Sequence, residues 1–252
     1  MRWTGTFLVA LSLAGALVSS GRADEIDDIL ALKAHNRNRL RHFAAEFSVE
    51  THQPESVPNA KTVRMRYRMA LDRISPKVGT SPLASWRMEM TILEPAGLSI
   101  RVEGERVWTQ GPDGGWKEVS LPATTLDILR KTTVGFVGQD PADQRRQLAM
   151  RIAGRRRSFW GPNTVTLESV PTSRQRLFER MEEDIGDDGL GLVLATRLYE
   201  GAGQVTINTR VTRHRRVNGL SVAEEMEAVT QTPLGNVVSR TTCSNIQVDV
   251  QP

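Results

Sequence analysis

Cys243 is the single thiol of this 252-residue chain. With one of the four histidines as base it could in principle act as a nucleophile. It sits, however, in a run from Thr241 to Val250 that alternates like a strand, where a small buried or half-buried cysteine is ordinary packing. His35 and His42 are seven apart and could share a helical face, yet no third ligand stands at metal spacing, so no metal site is expected. The acids at 182 to 184 and 187 to 188 lack the ligand register of a calcium loop and suit a solvated turn. There is no Gly-x-Ser-x-Gly elbow, phosphate loop, dinucleotide glycine motif, His-Glu-x-x-His or pair of Cys-x-x-Cys. The remaining carboxylates are scattered over polar faces and nothing selects a pair for glycoside chemistry. An enzyme is not expected, and no cofactor is implied.

What stands out instead is an apolar interior of unusual type. Of eight methionines, Met65, Met69, Met88, Met90 and Met226 fall on strand faces that alternation turns inward. Trp86, Met88, Met90 and Ile92 alternate with Arg87, Glu89 and Thr91; beyond the turn cluster Glu94 to Gly97, Leu98, Ile100 and Val102 alternate with Ser99, Arg101 and Glu103. Gly104 and Gly111 to Gly115 then punctuate two short runs carrying Val107, Trp108 and Trp116. Methionine is flexible and polarizable: it fills gaps in a plain core, and it also suits a surface that repacks around ligands of variable shape. On the second alternative Phe47, Met65, Tyr67, Met69, Trp86, Met88, Met90, Ile92, Leu98, Ile100 and Trp108 line a lipid-binding cavity. Burying an acyl chain of about fourteen methylenes is worth roughly 11 kcal/mol gross at ~0.8 each.

The elements that would position this face follow from pattern. Met1 to Ala23, with a charged start, the apolar run Phe7 to Val18 and small residues before Ala23, has the form of a secretory signal peptide, leaving 24–252 as one exported domain. Loss of Arg2 and Arg22 with that leader lowers the net charge from +4 to about +2. Basic runs such as Arg155 to Arg157 and Arg213 to Arg216 then suit a solvated face, a lipid headgroup or an acidic surface better than nucleic acid. One thiol means no internal disulfide, so stability rests on the core. A helix is expected over about 25–40, with acids in its first turn and arginines towards its end. Strands are expected at Phe43 to Thr51 and Thr62 to Leu71, and a short helix at Thr124 to Arg130. A second helix should start at Asp140-Pro141 and run to Gly154 with Leu148 and Ile152 on one side. The segment 172–184 suits either state and is read as strand, and Asn218-Gly219 marks a hairpin. The sum is about ten antiparallel strands, a leading helix and a helical insertion in a mainly β (α+β) domain.

In these features the chain resembles the LolA/LolB-like outer-membrane lipoprotein-sorting superfamily. The likeness lies in the leader, the first helix running into Phe43-Ala44-Ala45-Glu46-Phe47, and the segment Leu98 to Trp108 with Gly104 four residues before the tryptophan. It continues through Tyr199-Glu200 before Gly203, the turn at Gly219 and the closing Ser244-Asn245-Ile246-Gln247-Val248. The resemblance implies an unclosed, strongly curved antiparallel β-barrel whose cavity is covered by a helical lid, here 25–40 and 123–153. It implies a monomeric periplasmic carrier that takes acyl chains of lipids or lipoproteins from an inner-membrane donor to an outer-membrane acceptor. The other class it admits is an envelope-stress sensor of RseB type, binding lipoprotein and a protein partner.

Overall fold

The computed structural model describes residues 25–74, 86–95, 97–104, 106–111, 114–120, 141–157, 163–172, 178–186, 192–201 and 203–250. The leader, the loop from Ser75 and the short helix expected at Thr124 to Arg130 lie outside the described residues. Helix α1 (Glu25–Arg39) leads into β1 (Leu40–His52), β2 (Thr62–Arg73), β3 (Trp86–Glu94), β4 (Leu98–Glu103), β5 (Arg106–Gln110) and β6 (Trp116–Val119). Then come α2 (Pro141–Gln147), β7 (Leu148–Arg156), β8 (Thr164–Pro171), β9 (Arg180–Gly186), β10 (Val193–Glu200), β11 (Gln204–Val217), β12 (Leu220–Thr232) and β13 (Gly235–Val250).

The thirteen strands among the described residues form one antiparallel sheet in the order β6-β5-β4-β3-β2-β1-β13-β12-β11-β10-β9-β8-β7. Each neighbour is also a neighbour in sequence, except that β1 pairs with β13, which splices two meanders into one sheet. The hairpin between β11 and β12 turns at Asn218 (φ 48°) and Gly219 (φ 80°), both in the left-handed region that a two-residue turn of this twist requires. Asn245 (φ 52°) stands where the β1–β13 register shifts between Ala44 and Glu46, giving β13 an extra residue and a local bend.

Helix α1 is about 22 Å long at 1.5 Å per residue. It is continuous with β1 and reaches β7, which lies seven strand spacings, roughly 33 Å, away along the sheet. A helix that spans so short a chord requires the sheet to curl beneath it, and the two outer strands β6 and β7 remain unpaired with each other among the described residues. The result is the unclosed, curved barrel.

Two expectations are corrected. The helix from Pro141 ends at Gln147, not Gly154, and Leu148–Arg156 is a strand laddered on β8 from Leu148 opposite Pro171 to Arg156 opposite Thr164. Leu148 and Ile152, four apart, fit either period; the intervening Met150 packs with Ile152 on the α1 cluster, as only a strand allows. The described residues hold thirteen strands instead of about ten, because β5 and β6 are short and β7 has helix-like apolar spacing. Within 172–184, Arg180–Gly186 is strand as expected.

Ile26 and Leu30 of α1 pack on Leu167, Ile185 and Val193 of the β8–β10 half. Ion pairs fix the helix from outside: Lys33 to Glu183 (2.8 Å), Asp27 to Arg145 (2.6 Å), and Glu25 to Arg155. On the opposite face of the same strands, Arg151 meets Glu168 (2.5 Å), while Arg197 meets Glu182 (3.1 Å) and Asp184 (2.8 Å). Burial alone would raise the Asp184 carboxyl, but hydrogen bonds from Arg197 and Thr166 hold it below its ordinary value of 3.8. The Arg151 hydrogen bond likewise holds Glu168 low.

Leu30, 1% exposed, should lose about 3 kcal/mol of stability when cut to Ala, read as a lower urea midpoint at unchanged slope. A depressed carboxyl gives stability that is complete above its unfolded pKa and lost as pH falls through its lowered folded value. Thermal melts should therefore be flat above about pH 5 and fall at lower pH, and Asp184→Asn should reduce that acid-side fall while lowering the melting temperature at neutral pH.

Candidate functional apolar face

Antiparallel register decides which side chains share a face, and it gathers most of the expected lining residues on one. A first row crosses seven strands from β13 to β6: Val248, Phe43, Leu71, Met88, Val102, Val107 and Val119 stand opposite one another in turn. Beside it run Ala45, Met69, Met90 and Ile100, and beyond these Cys243, Phe47, Tyr67, Ile92 and Leu98. Trp86 and Met65 extend the face at its two ends. The Phe47 and Tyr67 rings stack at 4.9 Å and 11° across the β1–β2 pair.

Exposure is graded along this face. At the end where β1 leaves α1, Phe43, Leu71 and Met88 are almost wholly buried. Towards the other end Met65, Met90, Ile92 and Ile100 are half-buried, and Leu98 (41%) and Val63 (38%) are open. The face therefore runs from a packed floor to an apolar rim. The α1 cluster of Ile26, Leu30, Leu167, Ile185 and Val193 is separate from it, so the helix covers the β8–β10 half of the sheet instead of the methionine half.

Trp108 does not join the others. The turn at Gly104 (φ 57°) sets Glu103 opposite Arg106, which puts Val107 opposite Val102 and leaves Trp108 between Arg101 and Glu118 on the polar side. There Arg101 also lies over the Trp116 ring at 4.3 Å and bonds Glu89. Phe43, Leu71, Val102 and Val107 also belong to the face; alternation within β1, β2 and β4 signals the first three, and the parity of the Gly104 turn signals Val107.

The polar groups on the face are quiet. Burial, with Glu224 nearby, pushes the Cys243 thiol up to about 12, which keeps it in the protonated form at neutral pH. Burial, with Cys243 adjacent, also raises the Tyr67 phenol. No group of three His, Cys, Asp or Glu side chains able to hold a metal occurs among the described residues. A cleft of about 540 Å³ at the β1–β13 bulge is lined by Glu46, Arg68 and Asn245 as well as small residues, and its carboxylate is taken by Arg68 at 2.6 Å.

The fold of this sheet is shared with solved structures. A DUF1329 family protein from Desulfovibrio piger superposes with a TM-score of 0.63 at 13% identity over 91% of this chain and 95% of that one. A LolA superfamily protein from Nitrosomonas europaea gives 0.57 at 13% over 91% and 96%. The chain shares the fold of that protein. An outer membrane lipoprotein-sorting protein domain from Vibrio parahaemolyticus gives 0.54 at 12% identity over 88% and 91%. No protein-family model and no curated protein sequence matches the chain.

Because Cys243 is 1% exposed and protonated, maleimide should label it at least a hundredfold more slowly in the native protein than in urea, as followed by mass shift. Rapid native labelling would mean that the Phe47–Tyr67 row is open to water.

Proposed function

We propose that the protein is a periplasmic carrier that holds the acyl chains of a lipid or lipoprotein against the methionine face and passes them towards the outer membrane. The observation that carries this reading is the graded apolar surface from Met88 to Leu98, buried at one end and open at the other. An acyl chain laid from the rim inward removes apolar area that already lies next to the core, and Met65, Met69 and Met90 can repack around it without breaking a hydrogen bond. Cys243 and Tyr67 keep their protons and so put no charge on that face, and the nearby Glu224 carboxylate is taken by Arg213 at 2.9 Å. The fold shared with a lipoprotein-sorting domain supports the same reading. The leader read at Met1 to Ala23 supports the periplasm as the place of action.

Protein released from the periplasm by osmotic shock should show, by native mass spectrometry, adducts of fatty acid, phospholipid or acylated peptide. Leu98→Asp places a charge on the open rim at small cost in stability and should weaken uptake of a fluorescent fatty acid at least tenfold, whereas Glu118→Lys on the polar side should not. Adduct-free protein together with equal uptake by both variants would overturn the carrier reading.

A further inference from the structure

Most arginines of this sheet are engaged. Arg64, Arg68, Arg101, Arg151, Arg197 and Arg240 each lie within 4 Å of a carboxylate. Of the others, Arg156, Arg157 and Arg210 are scattered along the chain, but four converge at one place. Arg39 ends α1, Arg41 opens β1, Arg73 closes β2, and Arg216 precedes the β11–β12 turn. These come together because the Arg73 guanidinium donates to the Asn38 carbonyl (2.6 Å), because Arg39 approaches Gly219, and because Asn218 donates to the Val248 carbonyl (2.6 Å). None of the four is within ion-pair distance of a carboxylate among the described residues. Arg41, Arg73 and Arg216 are exposed. On the three strands β1, β2 and β13 at this end, Asp72 is occupied by His42 (2.6 Å) and Arg87 (3.3 Å), so Asp249 alone offsets the four. Arg215 adds a fifth cation whose contact with Glu224 is long, 3.8 Å.

We propose that this helix-side end of the sheet docks on an anionic lipid surface, its arginines meeting headgroup phosphates. The opposite end carries the exposed large apolar residues Val63, Leu98 and Leu234, and the arginine end carries none of those. A protein interface of useful affinity is built around buried apolar or aromatic anchors within a polar rim. Cations dispersed over four elements without such an anchor suit instead a partner that presents many equivalent negative charges in a layer. Guanidinium groups bind phosphate oxygens in a fork, which strengthens each contact. The proposal does not depend on the carrier reading, because it uses none of the methionine face.

Each basic residue at an anionic leaflet is worth about fivefold in partitioning. The full mature chain should co-sediment with phosphatidylglycerol vesicles at low salt, release as ionic strength rises, and ignore phosphatidylcholine vesicles. Arg41→Gln with Arg216→Gln, which removes no hydrogen bond of the fold, should weaken binding about twenty-five-fold. Arg64→Gln with Arg240→Gln, paired arginines elsewhere on the sheet, should change it less than threefold. Failure to bind phosphatidylglycerol vesicles, or equal loss in both double variants, would overturn the proposal. So would binding to poly-glutamate in place of vesicles, which would assign the surface to an acidic protein, or full competition by millimolar inorganic phosphate, which would assign it to a free anion.

Discussion

The ladder between the first strand and the last is the contact on which the molecule depends. β1–β6 and β7–β13 are each chains of local hairpins, and without the β1–β13 pairing they would be two sheets with exposed edges. With it, Phe43 and Phe47 gain β13 neighbours on one side and β2 neighbours on the other, and the first row of apolar side chains becomes continuous across seven strands. The contact joins residues some two hundred positions apart, such as Leu40 and Val250. Closing it from the open chain carries the largest loop-closure entropy of any ladder in the sheet.

Charge and apolar surface are kept apart by that same sheet. On the polar side, Arg and Glu from adjacent strands stand opposite one another, as with Arg68 and Glu46 or Arg151 and Glu168, which keeps a wide sheet wet on its outside. On the other side two apolar clusters sit apart, one capped by α1 and one running to the rim at Leu98. The helix is held by charges at its first turn and at Lys33, so its seat is set by both packing and ion pairs.

Period-two patterning made β1 to β4 and β11 to β13 legible in the sequence, and Asn218-Gly219 fixed the β11–β12 hairpin. The inward placement of Met65, Met69, Met88 and Met90 followed from the same alternation. Two features were hidden for physical reasons. In Leu148 to Arg156 an i, i+4 apolar pair satisfies both periods, and only the partner strand β8, distant in pattern but present in register, selects the extended form. In β5 the adjacent Val107 and Trp108 are both apolar, so bulk suggests the tryptophan as the inner residue; turn parity at Gly104, a backbone property, gives the position to the valine. The curl of the sheet was legible only through family resemblance, since curvature arises from twist and bulges such as that at Asn245, which composition does not encode.

A closed barrel has a girth fixed by its number of strands and their stagger. Here β6 and β7 end the sheet without a ladder between them among the described residues, so the circumference has no such fixed value. Small changes in inter-strand twist, accumulated over twelve ladders, can widen or narrow the lumen with every backbone hydrogen bond intact. The seam is thus an expansion joint in the geometric sense: twist alone sets the girth, and no closing ladder resists it.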